Sequence, residues 1–228
     1  MTNRLARLSE TKKWHLMVEA AKRGAEAQGY ALDRVPGRGL SNVWTITKNG
    51  KSQKACIRTT RDRWFAFPPL DNGKKWKTLS DCDVVIVAAV DSREEPENVE
   101  VYIFPAAEVR RRFDAAFAAR TKAGQTVRIN FGMWVGLDQD PRNIAASVGS
   151  GIVETFKAVA GFPIDDLLAA SGEANEASPE PERLGSNDDD GPDNVRDNDP
   201  PLTIVEAKRR LALTFNVDPG NIKIIVEG

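Results

Sequence analysis

Histidine is almost missing from this chain: His15 is the single one in 228 residues, and cysteine occurs only as Cys56 and Cys82. A Ser-His-Asp triad or a histidine-based zinc site would have to rest on His15, and there is no Cys-x-x-Cys pair for a thiolate zinc site. His15 sits beside Trp14 in a helical pattern and reads as a surface or half-buried helix residue. Both cysteines fall in or beside segments that read as buried strands, so reduced core thiols are expected rather than a disulfide framework. Long hydrophobic runs are also lacking. The longest, Val84 to Val90, is strand-length, far short of the roughly 20 apolar residues of a membrane helix. The N-terminus mixes Arg4, Arg7, Lys12 and Lys13 with Leu5, Leu8 and Trp14, which is no signal peptide. A cytoplasmic protein with no membrane partner is expected.

What is present is an ordinary apolar content, 41%, and a strongly uneven charge. Residues 1–77 carry 17 Lys or Arg against 6 Asp or Glu, while residues 173–200 carry 10 acids against 2 bases. The near-neutral total of minus one hides a basic end that attracts phosphate backbones and an acidic stretch that repels itself.

Periodicity divides the chain into an α/β domain over 1–172, an acidic disordered linker over 173–200, and a helix-strand module over 201–228. Leu5, Leu8, Leu16, Ala20, Ala21 and Ala27 predict an amphipathic helix from about Thr2 to Gln28, stopped by Gly29. Strands are predicted at Tyr30 to Val35, Val43 to Lys48, Lys54 to Thr59 and Trp64 to Phe67, consecutive and antiparallel, with Asn49-Gly50 as a hairpin turn. Lys75 to Leu79 suggests one helical turn, Val84 to Val90 a strand buried on both faces, and Val101 to Phe104 a further strand. Pro105 opens a helix bearing Val109, Phe113 and Phe117 that ends at Lys122 to Gly124. Thr126 to Leu137 reads as a loose strand or packing loop, and Pro141 to Ala160 as a helix weakened at Gly149 and Gly151. The linker has too few large apolar side chains to offset the entropy of ordering. Beyond it, Thr203 and Glu206 form a capping box, and Ile222 to Val226 alternates as a strand.

The order helix, three strands, short helix, buried strand, strand, helix, over about residues 10–120, resembles the PD-(D/E)XK superfamily of restriction-endonuclease-like nucleases. The local detail is Gly39-Leu40-Ser41-Asn42-Val43-Trp44 opening one strand, the hairpin at Asn49-Gly50, and Ala55-Cys56-Ile57-Arg58-Thr59-Thr60 in the next. The resemblance implies a mixed sheet flanked by helices. It also implies an aspartate on the first of these strands, and an acid, a spacer and a lysine on the next. Two such carboxylates hold a divalent cation that activates water, and the lysine positions the nucleophile. Laid on this chain, the carboxylate positions are Asn42 and Cys56 and the lysine position is Arg58. An amide and a thiol do not replace two carboxylates for magnesium, so the register implies no catalytic residue, no metal and no cofactor.

The implied partner is DNA or RNA. Arg34 and Arg38 flank a glycine-rich loop, and Arg58, Arg61, Arg63, Lys74, Lys75 and Lys77 alternate with aromatic residues, a pattern suited to phosphate contacts. Trp64, Phe65 and Phe67 themselves read as packed strand residues. Neither Gly37-Arg38-Gly39 nor Val148-Gly149-Ser150-Gly151 has the Lys-Ser/Thr of a P-loop. Two other readings stay open. An active magnesium-dependent nuclease would draw its acids from Asp33, Asp62, Glu19 or Glu26, and an interaction protein would dock residues 201–228 on a protein partner or oligomerise with its own copies.

Overall fold

The structure, a computed structural model, describes residues 5–35, 43–128 and 131–173. The acidic linker beyond Glu173, the C-terminal module 201–228, and Arg38 and Asn42 lie outside the described residues.

The first helix, α1 (Glu10–Ala27), starts later than its apolar pattern predicts. Ser9 is in extended conformation and its Oγ accepts the Lys12 N–H, which makes it the N-cap, and a single 3-10 turn at Leu5–Arg7 precedes it. At the other end Gly29 turns left-handed (φ 83°) and its N–H reaches the Glu26 carbonyl, as a helix-stopping glycine does. Strands β1 (Ala31–Arg34), β2 (Val43–Lys48) and β3 (Lys51–Thr60) follow as an antiparallel meander. The β2–β3 turn is the expected Asn49-Gly50 pair, with φ 52° and 72°, the two positive values that a primed hairpin turn demands.

The chain then leaves this sheet. β4 (Trp64–Phe67) does not pair with β3 as the sequence pattern suggests; it joins β9 (Met133–Gly136) in a separate two-stranded sheet. Arg63 in left-handed conformation (φ 63°) breaks the strand run just before it. β5 (Pro69–Leu70) and β6 (Lys75–Trp76) form a second small ladder, and the helical turn expected at Lys75 to Leu79 moves on to a 3-10 turn at Leu79–Asp81. β7 (Val84–Val90) returns to the main sheet parallel to β3, and β8 (Asn98–Pro105) pairs antiparallel to β7. Helix α2 (Ala106–Lys122) begins right after Pro105, as expected.

The largest departure from the sequence reading is at 141–160. In place of one helix there is a 3-10 turn at Ala145–Ser147, a short α3 (Ile152–Thr155), and then β10 (Ala160–Pro163), which pairs with β8 before α4 (Ile164–Glu173). Asn143, Gly149 and Gly151 all have positive φ (50°, 90° and 87°), which no α-helix contains. Carbonyls of this segment are taken by α2: the Arg112 guanidinium donates to Gly149 and Ser150, and Arg120 to Ala146.

The main sheet thus has the order β1-β2-β3-β7-β8-β10 and a core on each side. On one face α1 and α4 cover Ile46, Ala55, Ile57, Ile86, Ala88, Val99 and Val101. On the other, α2 and the two small sheets enclose Val43, Cys56, Val85, Val87, Phe104 and an aromatic cluster around Phe113. β7 is buried on both faces throughout, which explains its unbroken apolar sequence. No helix among the described residues is long and apolar enough to cross a membrane.

Small residues let α1 lie close on the sheet. A Cβ placed on Gly24 would fall 2.6 Å from Val101 Cγ1 and 2.8 Å from its Cβ, an atom the backbone holds in place. Alanine is the better helix former by about 1 kcal/mol, yet overpacking costs about 1–3 kcal/mol. Gly24→Ala is therefore expected to lower the urea midpoint at unchanged slope, and a rise in the midpoint would refute the close packing.

Candidate nucleic-acid interface

Cys56 and Arg58, the acid and lysine positions of the nuclease-like register, sit two apart on β3 and so point to the same face of the sheet, the one covered by α2. Cys56 is completely buried, packed in the same core as Val43, Phe65 and Phe67. Its neighbour in that core is Cys82, also buried and also a free thiol. A hydrogen bond with Cys56, reinforced by burial, pushes the Cys82 thiol up, so it stays protonated and a poor nucleophile. The Arg58 guanidinium lies 4.4 Å from the centre of the Phe67 ring and donates to the carbonyls of Ala66 and Ile57. A thiol sealed in an apolar core beside an arginine stacked on phenylalanine does not fit a magnesium ion, which needs oxygen ligands and room for water.

The carboxylates considered for an active nuclease have other roles or lie elsewhere. Asp62 accepts from the Thr60 hydroxyl and the Trp64 N–H, shaping the turn after β3. Glu19 binds Lys22 and Arg23 on α1, and Asp33 and Glu26 are exposed on β1 and α1.

The predicted contact residues divide among several places. Arg61 reaches across to Glu10 at the start of α1, with Nη2 2.8 Å from the carboxylate, which also takes Lys13 at 2.7 Å. The hydrogen bond from Lys13, with Arg61 close by, holds the Glu10 carboxyl below its usual range. Arg63 is spent entirely inside the protein. Its Nε and one Nη2 proton go to Asp138 (2.6 and 3.0 Å), Nη1 goes to Glu100 (2.8 Å) and the Val90 carbonyl (2.8 Å), and Nη2 also meets the Tyr102 hydroxyl (3.1 Å). Five donors have five acceptors, so none remains for a phosphate. Burial, with a hydrogen bond to Glu100, pushes the Tyr102 hydroxyl up to about 12.

Lys74, Lys75 and Lys77 belong to the β5–β6 ladder on the α2 side, where Trp76 between them is buried and donates its indole N–H to Asp114 at 2.8 Å. Lys74 and Lys75 are exposed, Lys75 within 3.7 Å of Asp71, while Lys77 is half-buried. Arg34 is exposed on the edge strand β1. Phe65 and Phe67 are core residues, as expected of packed strand positions, and Trp64 is half-buried.

Sequence reasoning passed over Lys48, Lys51 and Lys54, at the turn end of β2–β3. Residues 51–54 are all exposed; the β7 ladder meets β3 from Ala55 onward, while β1 runs beside β2 as far as Thr47. The spacing Lys-x-x-Lys-x-x-Lys around Asn-Gly was the available signal. The pattern reads as a solvated hairpin, and the structure leaves Lys51 and Lys54 exposed while Lys48 lies over the Tyr30 ring.

An open groove of about 510 Å³ runs between α2 and the irregular segment, lined by Arg111, Arg112, Gln139, Asp140, Asn143 and Ser147 among others. Its charges are matched internally. Arg111 and Arg112 both bind Glu108, whose carboxyl is held down at about 2 chiefly by the Arg111 hydrogen bond, and Asp140 binds Arg142. Comparison with protein-family models, with curated proteins and with solved structures found no match for this chain.

Proposed function

We propose that this protein binds nucleic acid on a nuclease-like α/β core that carries no metal-dependent cleavage site. The observation that carries this reading is on β3. The acid position is the fully buried Cys56, and two residues on, the lysine position is Arg58, held by Phe67 and two carbonyls. The order α1, β1-β2-β3 meander, β7 parallel to β3, β8 and α2 supports the resemblance. The cleavage position, however, is filled with apolar packing. Exposed lysines at Lys51, Lys54 and Lys74 make no ion pair with a described residue, and they supply the positive field that phosphate binding requires.

The test is titration of labelled DNA with the purified full chain across a salt series, with a parallel incubation of supercoiled plasmid in magnesium or manganese. Binding that weakens steeply with salt, with the plasmid intact, is the expected result. Metal-dependent nicking that survives Cys56→Ser would overturn the absence of cleavage, and no binding at low salt would overturn the nucleic-acid reading itself.

A further inference from the structure

The β1–β2 side of the main sheet carries two aromatic rings that the core does not enclose. Leu32 and Ile46, direct cross-strand partners, pack on the α1-side core. Strand alternation therefore puts Arg34, Trp44, Lys48 and Lys51 on that same face, with Tyr30 just before β1. Ile46 is completely buried there, but Tyr30, Leu32 and Trp44 are half-buried and Arg34 and Lys51 exposed. On the opposite side of the sheet, rings pack edge-on around Phe113. Tyr30 and Trp44 meet ammonium groups instead: Lys48 Nζ lies 5.0 Å from the centre of the Tyr30 ring, and Lys22 Nζ 5.7 Å from that of Trp44.

Trp44 is a costly choice for packing alone. Its indole Nε1 is buried and finds no hydrogen-bond partner among the described residues, a loss that phenylalanine would avoid in the same place. The charge around the two rings is one-sided as well. Lys22, Arg34, Lys48 and Lys51 surround the strip, and Lys48 and Lys51 stand directly opposite each other across the strands, an arrangement that repels. On α1, Glu19 is already bonded by Lys22 and Arg23, and Glu26 is exposed. Alternation turns Asp33 of β1 to the other face, and residues 43–60 contain no acid.

We propose that the nucleic acid this protein binds is single-stranded and lies along this strip, its bases stacking on Tyr30 and Trp44 and its phosphates meeting Arg34, Lys48 and Lys51; the proposal rests on the nucleic-acid reading above. A lysine over a solvent-facing ring is weakly held. A base that takes its place gains the ring and frees the ammonium for a neighbouring phosphate. Trp44 and Lys48, the latter over Tyr30, are four residues apart on β2. That is about 13 Å at about 3.3 Å per residue, room for on the order of four stacked bases. A duplex hides its base faces within the stack and would leave both rings without a partner. An anionic bilayer is held by apolar side chains that protrude into it, whereas these rings are set into the sheet beside α1. Neither a ring nor an ammonium reads the 2′-hydroxyl, so DNA and RNA strands are both ligands.

The experiment titrates the full-length protein over a salt series with a labelled dT oligomer, an rU oligomer, a DNA duplex, and vesicles of phosphatidylcholine and phosphatidylserine. Binding is read by fluorescence anisotropy. Wild type is expected to bind both oligomers more tightly than the duplex or the vesicles. Tyr30→Leu and Trp44→Leu are each expected to weaken oligomer binding roughly fivefold to a hundredfold at every salt concentration. The slope of log affinity against log salt stays unchanged in both, because no charge is lost. Tyr30→Phe and Trp44→Phe keep a ring and are expected to stay close to wild type. Lys51→Ala, by contrast, is expected to lose about 0.7 from the slope. Two controls outside the strip, the exposed Phe131→Leu and Lys157→Ala, are expected to bind as wild type does. Thermal unfolding accompanies every variant, and where Trp44→Leu fails to fold, Tyr30→Leu against Tyr30→Phe decides. Oligomer binding unaltered by loss of the rings would overturn the stacking strip, as would preference for the duplex or the vesicles. Absence of any nucleic-acid binding would remove the underlying reading as well.

Discussion

Phe113→Ala is expected to destabilise the protein by about 3–5 kcal/mol, the range for removing a fully buried aromatic side chain. Phe113 is completely buried on α2, and its ring centre lies 5.4 Å from Phe65, 5.3 Å from Phe67 and 5.1 Å from Trp76, all edge-on. Those three residues come from β4 and β6, the two small sheets that do not belong to the main sheet. The ring is thus the joint by which α2 holds both of them, and the rigid rings around it leave little scope for collapse into the space. Denaturant unfolding followed by tryptophan fluorescence would measure the loss. A cost below about 1 kcal/mol would mean that the small sheets pack independently of α2. Because Phe67 also supports the Arg58 guanidinium, the same variant is expected to loosen the packing around Arg58.

The second large effect is expected at Arg63. Its side chain is only 15% exposed and ties the turn after β3 to the end of β7, to Glu100 and Tyr102 on β8, and to Asp138 after β9. Hydrogen bonds to charged groups contribute about 1.5–3 kcal/mol, and Asp138, about half exposed, can recover water when its partner is removed. A loss of about 2–3 kcal/mol is therefore expected for Arg63→Ala, below the sum of its contacts. The backbone allows a sharper test. Position 63 is left-handed, a conformation that costs an L-residue about 1–2 kcal/mol and glycine almost nothing. Arg63→Gly should thus be less destabilising than Arg63→Ala by about 1 kcal/mol, even though both lose the same guanidinium. Equal losses would show that the turn relaxes out of the left-handed region once the clasp is gone.

How much of this was legible in the sequence depends on the range of the interaction involved. The Asn49-Gly50 turn, the stop at Gly29, the start of α2 after Pro105 and the double burial of Val84 to Val90 are local matters, settled by a few neighbouring residues, and they were readable. The helix expected over 141–160 was not formed. Its apolar spacing was compatible with a helix, but Gly149 approaches so closely that a Cβ there would lie 2.6 Å from the Arg112 carbonyl. That approach, and the arginine donors from α2 that replace the helical hydrogen bonds, join residues more than thirty positions apart in the chain. β4 was likewise recognised as a strand but assigned the wrong neighbour, because pairing with β9 joins positions some seventy residues apart.

The candidate site divides in the same way. Composition and residue type were enough to confine histidine chemistry to the single His15, to put Cys56 and Arg58 two apart on one strand, and to locate the excess of positive charge in the first third of the chain. Which of those cations face solvent was decided only by tertiary structure. Arg61 and Arg63 look like the rest in sequence, yet Glu10, Glu100 and Asp138 reach them from distant elements. Lys51 and Lys54 stay exposed on the part of β3 that precedes its buried run from Ala55. A side chain's type follows from the sequence alone, whereas whether its charge is neutralised or free depends on which remote carboxylate the fold brings within hydrogen-bond distance.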